Sequence, residues 1–347
     1  MNTLTELDFN WKYFLDKTTI IYGESGTGKS FVIIDILYQL KPHADQIIVF
    51  SPTDRQNHTY DKGIVPLPFI HYTITGDLLN DIWERQEALA TVYSKANKPD
   101  VLKRLFEKIP NNDDAKRAIE NTNRKLRQCI EEIDNTEPDE ATAKAKIADV
   151  EKECNKLITM IYKHLIKENS IRLGKMQLTE EERYTVKYAS LNPRLVVIFD
   201  DCTDLLKKFK SHPVMQKMFY QGRHSFITTI IACHTDKALD AELKKNSFVN
   251  MYTEETCARA CFDRKSADLG KEAKERAFAA CRQAFTPLAK FQKLAWIRDE
   301  KKFYKFTATK RTDFRFGSPV IWDYCRQIQA ESGAISPNNK FIHDFAQ

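Results

Sequence analysis

A chain of 347 residues that is 42% hydrophobic and 29% charged can bury a large core, which excludes a disordered or low-complexity protein. Its 54 Lys and Arg against 48 Asp and Glu give a formal charge of +6, which permits a polyanionic partner without requiring one. The eight cysteines form no C-x-x-C pair and no zinc-type spacing with histidine, the N-terminus has no basic-then-apolar leader, and no apolar run is long enough to cross a bilayer. Reduced packing thiols, no secretion and no membrane insertion are therefore expected.

The first predicted element is a strand, Thr18 to Tyr22, β-branched and apolar throughout. It runs directly into Gly23-Glu24-Ser25-Gly26-Thr27-Gly28-Lys29-Ser30, which reads G-x-x-x-x-G-K-S. Glycines at this spacing let successive backbone N–H groups curl around a phosphate chain. Lys29 then reaches the β and γ phosphates and the Ser30 hydroxyl ligates Mg²⁺. Only ten glycines occur in the chain, yet three fall within these eight residues. Apolar residues at helical spacing follow at Phe31, Ile34, Leu37 and Tyr38, so the order is strand, loop, helix, and the positive end of that helix adds to the anion site. The pattern identifies a phosphate-binding loop, which alone licenses nucleotide binding.

A second buried strand is predicted from Gln46 to Ser51, a weaker one near Phe69 to Tyr72, and a helix from Gly76 onward. Between Pro99 and about Glu168 glycine disappears and apolar residues recur at heptad spacing: Ile119, Thr122, Leu126, Cys129 and Ile133, then Ile147, Val150, Cys154, Leu157 and Ile161. The break at Asn135 to Asp139 is a turn. This predicts two antiparallel helices sharing one seam, either as a coiled-coil hairpin on the order of 35 Å long or as a pair lying flat on the sheet.

The sheet resumes at Arg194 to Asp201, five apolar residues followed by two carboxylates at the edge where open α/β sheets bind ligands. Asp200 is expected to hold Mg²⁺ through a water and Asp201 to orient or deprotonate the attacking water. A helix from Pro213 to Gly222 leads through Arg223-His224-Ser225 into another buried strand, Phe226 to Ala232, which ends at Cys233-His234. Polar groups at the two ends of this strand are placed for contact with a γ-phosphate or a neighbouring subunit. A further strand at Ser247 to Met251 and two helices from Glu254 to about Ala284 come next. From Thr286 to Arg315 nine Lys or Arg stand against three acids, interleaved with Phe291, Trp296, Phe303, Tyr304, Phe306 and Phe314, around a turn at Arg298 to Lys301. Such a hairpin either tracks nucleic-acid phosphates or is a sheet edge protected by lysines.

The loop, Asn192-Pro193-Arg194 leading into Val196 to Asp201, and Gly222 to Ser225 before Ile227 to Ile231 together resemble the DNA-packaging ATPases of nucleocytoplasmic large DNA viruses, within the FtsK/HerA superfamily. The resemblance implies a homo-oligomeric ring that drives double-stranded DNA into a preformed capsid, with a capsid or portal-type protein as a possible partner and the host cytoplasm or the virion as its location. It makes Arg223 the candidate arginine finger, completing the site of the adjacent subunit. Where the superfamily has a γ-phosphate-sensing glutamine, this chain has His234. Two other readings compete. A coiled-coil repair ATPase would carry Ser-Gly-Gly shortly before the acidic strand, where Tyr188 to Pro193 stands instead. A nucleotide-gated scaffold would not need Lys29, Ser30, Asp200 and Asp201 intact.

The expected fold is α/β: a P-loop NTPase of RecA/FtsK type with a mainly parallel central sheet and helices on both faces. The core would occupy residues 1–98 and 176–285, interrupted by a helical hairpin at 99–175 and followed by a basic β-hairpin extension at 286–347.

Overall fold

The computed structural model describes residues 4–234, 239, 241–264, 270–286 and 291–332. Eight strands form one sheet: β1 (Thr18–Tyr22), β2 (Gln46–Phe50), β3 (Ile70–His71), β4 (Leu195–Phe199), β5 (Ile227–Cys233), β6 (Val249–Tyr252), β7 (Gln292–Ile297) and β8 (Lys302–Thr307). Their spatial order is β3-β2-β4-β5-β1-β6-β7-β8, parallel from β3 to β6, with β7 and β8 antiparallel. This is the α/β P-loop fold expected from the sequence. The strands that read as unbroken apolar runs are central, and every residue of β1, β2, β4 and β5 is buried, as strands covered on both faces must be.

Two compact units divide the chain. One comprises residues 1–90 and 193–347, the other 91–192. The sheet unit has a single apolar core running from Leu7 to Cys325, with helix α1 (Lys29–Leu40) contributing Val32, Ile33, Ile36, Leu37 and Leu40. Several polar groups are buried with it, and two of them tie together segments distant in sequence. Asp35, 1% exposed on α1, accepts from Thr309 N at 2.8 Å and from Arg311 Nε at 2.8 Å. The fully buried Gln86 amide donates to the carbonyls of Pro193 (2.6 Å) and Ser225 (2.7 Å).

The basic hairpin expected as an extension is continuous with this sheet, since β7 pairs with β6 along its length. Its charges do not share one face. Lys293 is buried, Arg311 pairs with Asp35, Arg298 lies over the Phe248 ring at 3.7 Å and Arg315 over Trp322 at 5.1 Å. Lys290 and the stretch 333–347 lie outside the described residues.

The second unit is helical. After the short helix α2 (Asp54–Asn57) and α3 (Gly76–Ala96), the chain forms α4 (Pro99–Lys108), α5 (Asp113–Thr136), α6 (Glu140–Glu168), α7 (Ser170–Leu173) and α8 (Glu180–Tyr188). The turn expected at Asn135 to Asp139 falls between α5 and α6, which pack on one another. The 24 residues of α5 span about 36 Å and bury no side chain fully. On α6 the seam holds Ala143 and Cys154, while Leu157, expected within it, is half exposed. A small core of Val101, Leu102, Leu105, Ile109, Ile166, Leu173, Leu178 and Ala189 is the apolar centre of this unit. The unit runs past the expected residue 175 because Leu178 and Ala189, on either side of α8, share that core with α4 and the end of α6, and at its start it takes in residues 91–98, which include the end of α3.

Candidate functional site: a phosphate loop facing paired carboxylates

The parallel pairing of β1 with β5 and of β5 with β4 brings the C-terminal ends of these three strands to the same edge of the sheet. There β1 leads into the loop Gly23 to Ser30, β4 into Asp200 and Asp201, and β5 into His234. Sequence separations of 170 residues and more thus collapse into one site.

The loop is held in shape by contacts only glycine permits. Gly26 and Gly28 have φ of 79° and 89°, in the left-handed region. At Gly23 the constraint is space, since an added Cβ would fall 1.8 Å from Thr253 Oγ1. Thr253 itself donates to Tyr22 O (3.1 Å) and lies 2.6 Å from Thr27 Oγ1, and Glu254 Oε1 accepts from Glu24 N at 2.8 Å. Lys29 is 6% exposed and folds back, its Nζ donating to the carbonyls of Gly23 (3.0 Å) and Glu24 (2.9 Å). Glu24, Ser25 and Gly26 are exposed, so the crest of the loop is open to solvent.

Asp200 is buried, and one of its oxygens, Oδ2, accepts from Tyr60 Oη at 2.8 Å and faces Ser30 Oγ at 3.4 Å. Its other oxygen, Oδ1, is buried without a hydrogen-bond partner. Burial, reinforced by the charge of Asp201, pushes its carboxyl up to about 6. An orphaned carboxylate oxygen beside a serine hydroxyl is a hard-oxygen donor set, suited to a small divalent cation that brings its remaining ligands from water and substrate phosphates. Among the described residues no cluster of three or more His, Cys, Asp or Glu offers an all-protein metal cage.

Asp201 stands apart from the strand with φ of 53°. Its Oδ2 accepts from Thr53 Oγ1 at 3.1 Å and its Oδ1 lies 3.2 Å from His234 Nε2. Two side chains from the ends of β2 and β5 thus fix this carboxylate, which is partly exposed and not occupied by Lys29 or Ser30.

Three contributors are not legible as motif residues. Tyr60 is fully buried and reaches Asp200 because Asp54 Oδ1 accepts from the backbone N–H groups of Thr59 (2.8 Å) and Tyr60 (2.9 Å), folding the loop inward. In the sequence Thr53 is only part of a strand-breaking turn. Lys293 is one of the nine basic residues of the hairpin, yet its Nζ donates to Thr27 O at 2.8 Å. Only register across the sheet reveals these.

Arg223 is not part of this constellation. It precedes β5 whereas His234 comes after it, so the two stand at opposite edges of the sheet, about 20 Å apart along a seven-residue strand. Arg223 is exposed, with Nε 3.4 Å from His224 Nε2, and borders a cleft of about 170 Å³ that Lys17, Asn246, Phe248 and Arg298 also line.

No protein-family model matches the chain. It is 33% identical to protein B354L of African swine fever virus over 362 aligned positions, covering 99% of this chain and 96% of that protein. A shorter match, 37% identical over 86 residues, is to protein L437 of Acanthamoeba polyphaga mimivirus, covering 25% of this chain and 29% of that one. Among solved structures, the genome packaging NTPase B204 of Sulfolobus turreted icosahedral virus 2 in complex with ATPγS aligns at 14% identity over 84% of this chain and 96% of that chain, with a TM-score of 0.37.

Proposed function

This chain belongs to the family of African swine fever virus protein B354L, and we propose that it is an Mg²⁺-dependent ATPase, ring-forming, that drives double-stranded DNA into a preformed viral capsid. The observation that carries the reading is the convergence at one sheet edge of Lys29, Ser30, Asp200, Asp201 and His234, with Arg223 held at the other. A phosphate loop alone would support nucleotide binding. A second, separately clamped acid supports hydrolysis.

In this reading the loop N–H groups and Lys29 take the triphosphate, the Lys29 ammonium exchanging the carbonyls of Gly23 and Glu24 for phosphate oxygens. Ser30 and Asp200 are the residues that would hold Mg²⁺, which supplies charge neutralisation to the phosphates. Asp201, fixed by Thr53 and His234, orients the attacking water. His234 joins that acid to the end of β5, the strand that starts beside Arg223. The resemblance makes Arg223, which lies at the far edge from its own loop, the residue that serves an adjacent subunit's nucleotide. The resemblance in motif order to viral packaging ATPases supplies the duplex DNA, a capsid or portal-type protein as partner, and a cytoplasmic assembly site or the virion as location.

The test is ATP turnover with and without duplex DNA, with Lys29→Ala as the blank. Turnover that rises with DNA and vanishes in the variant is the expected result. Turnover indifferent to DNA would remove translocation from the proposal, and none at all would leave a nucleotide-gated scaffold. Mixing Arg223→Ala with Asp201→Asn protein should restore part of the activity, since a mixed interface unites one intact Arg223 with one intact Asp201. No recovery in confirmed mixed assemblies would exclude Arg223 as a residue acting between subunits.

A further inference from the structure

The register of the sheet sets Lys293 beside the phosphate loop. Tyr22 of β1 pairs with Tyr252 of β6, which pairs with Leu294 of β7. Because β7 runs antiparallel, the next row across the three strands is Gly23, Thr253 and Lys293. A lysine at the start of an antiparallel strand thus arrives where the parallel strands end and the loop begins.

Its environment is not that of a surface lysine. Lys293 is 6% exposed, its Nζ donates to Thr27 O at 2.8 Å, and that nitrogen stands 3.2 Å from the position a Cβ on Gly28 would take. Burial pulls its ammonium below the usual lysine range. An ammonium has three donors, and among the described residues Thr27 O is its one hydrogen-bond acceptor and no carboxylate pairs with it. A buried charge so thinly compensated is costly. Lys29, equally buried, likewise donates only to loop carbonyls. Two ammonium groups therefore flank one eight-residue loop, and among the described residues neither makes a salt bridge. A polyphosphate would neutralise both.

We propose that Lys293 is a second lysine of the nucleotide site, a positioning residue that braces the loop through Thr27 and contributes positive charge to polyphosphate binding. The inference rests on the nucleotide-binding part of the proposed function and extends it to the β7–β8 hairpin, which becomes part of the nucleotide site rather than a DNA-tracking appendage.

The experiment is equilibrium binding of a fluorescent N-methylanthraniloyl ADP, with melting of the nucleotide-free proteins alongside. Four forms are compared: wild type, Lys29→Ala, Lys293→Met and Lys293→Gln. Met keeps the stem and removes charge and donor; Gln removes charge but keeps a donor for Thr27 O. Both Lys293 variants should bind about tenfold more weakly than wild type, and their nucleotide-free melting temperatures should hold or rise, since an undercompensated buried charge has gone. Wild-type affinity in Lys293→Gln would overturn the proposal, reducing Lys293 to a structural hydrogen bond. So would wild-type affinity in both Lys293 variants while Lys29→Ala loses binding. If wild type itself fails to bind, the nucleotide reading falls first, and Lys293 with it.

Discussion

The sheet unit and the helical unit solve the same problem by opposite means. In the sheet unit four strands are buried along their whole length, and each of three buried polar groups is fixed by a partner distant in sequence: Asp35 by Arg311, Gln86 by Ser225, Asp200 by Tyr60. In the helical unit α5 buries no side chain fully, and along α5 and α6 charges pair with neighbours three or four residues away, as Lys144 with Glu140 and Lys156 with Glu153, whereas pairs distant in sequence, Arg104 with Glu181 and Lys108 with Glu182, lie where α4 meets α8. The sheet unit is specified by contacts distant in sequence, the α5–α6 hairpin by local periodicity. Chemistry is found where the constraint is densest, because a site that must hold a phosphate chain to within a fraction of an ångström needs groups whose own positions are over-determined.

That contrast is sharpest at Gly23. Adding one methyl there sets a carbon 1.8 Å from Thr253 Oγ1, with Thr27 Oγ1 at 2.6 Å. Gly23→Ala is expected to cost about 4 kcal/mol or more in denaturant unfolding and to abolish nucleotide binding. Combining it with Thr253→Ala should cost less than the sum of the two, because the second change removes the colliding oxygen. Strict additivity would mean that the loop does not depend on this contact. Next in size is Asp35→Ala. Removing a carboxylate that is 1% exposed leaves Arg311 and the Thr309 N–H without their acceptor, and about 3 kcal/mol should be lost. A loss below about 1 kcal/mol would show that the segment around Arg311 does not clamp α1.

The same contrast explains how much the sequence makes legible. The strands and the loop are legible because burial on both faces writes unbroken apolar runs, and because a phosphate cradle demands glycine and lysine at fixed spacing. The heptads of α5 and α6 are legible for the same local reason. What escapes is register. Tyr60, Thr53 and Lys293 carry no motif, since each gains its role from the strand or turn set beside it by folding. The count of basic residues between Thr286 and Arg315 suggests one electrostatic surface, but several of those charges are consumed inside the unit by Thr27, Asp35 and Phe248. Charge counted along a chain says nothing of which side of a strand each residue takes.

A smaller effect tests the electrostatics of the site. The Asp200 carboxyl is raised to about 6 from an ordinary 3.8, first by burial and then by Asp201. The folded protein therefore keeps a proton that the unfolded chain gives up. The resulting stabilisation is fully present below pH 3.8 and is lost as pH rises through 6. Asp200→Asn is free of that loss. In the nucleotide-free protein its unfolding free energy should draw ahead of wild type between about pH 4 and 7, by on the order of 2 kcal/mol. A difference independent of pH would mean that Asp200 is solvated, and that the orphaned Oδ1 has water rather than a cation as its partner.

The smallest effect belongs to the helical unit, and it decides whether the contrast is real. Lys144 and Glu140 lie one turn apart on α6 at 2.7 Å, with side chains 75% and 82% exposed, so water screens the pair and two long side chains lose freedom to form it. Lys144→Ala is expected to change unfolding free energy by at most about 0.5 kcal/mol and to leave nucleotide affinity untouched. Its neighbour Ala143 is 8% exposed in the seam, so a charged side chain there must displace packed atoms or unpair the helices. Ala143→Glu should therefore cost several times what Lys144→Ala does. Equal costs at 143 and 144 would show that α6 has no preferred face. The hairpin would then be held by something other than the heptad seam, and its pairing could no longer be attributed to local periodicity.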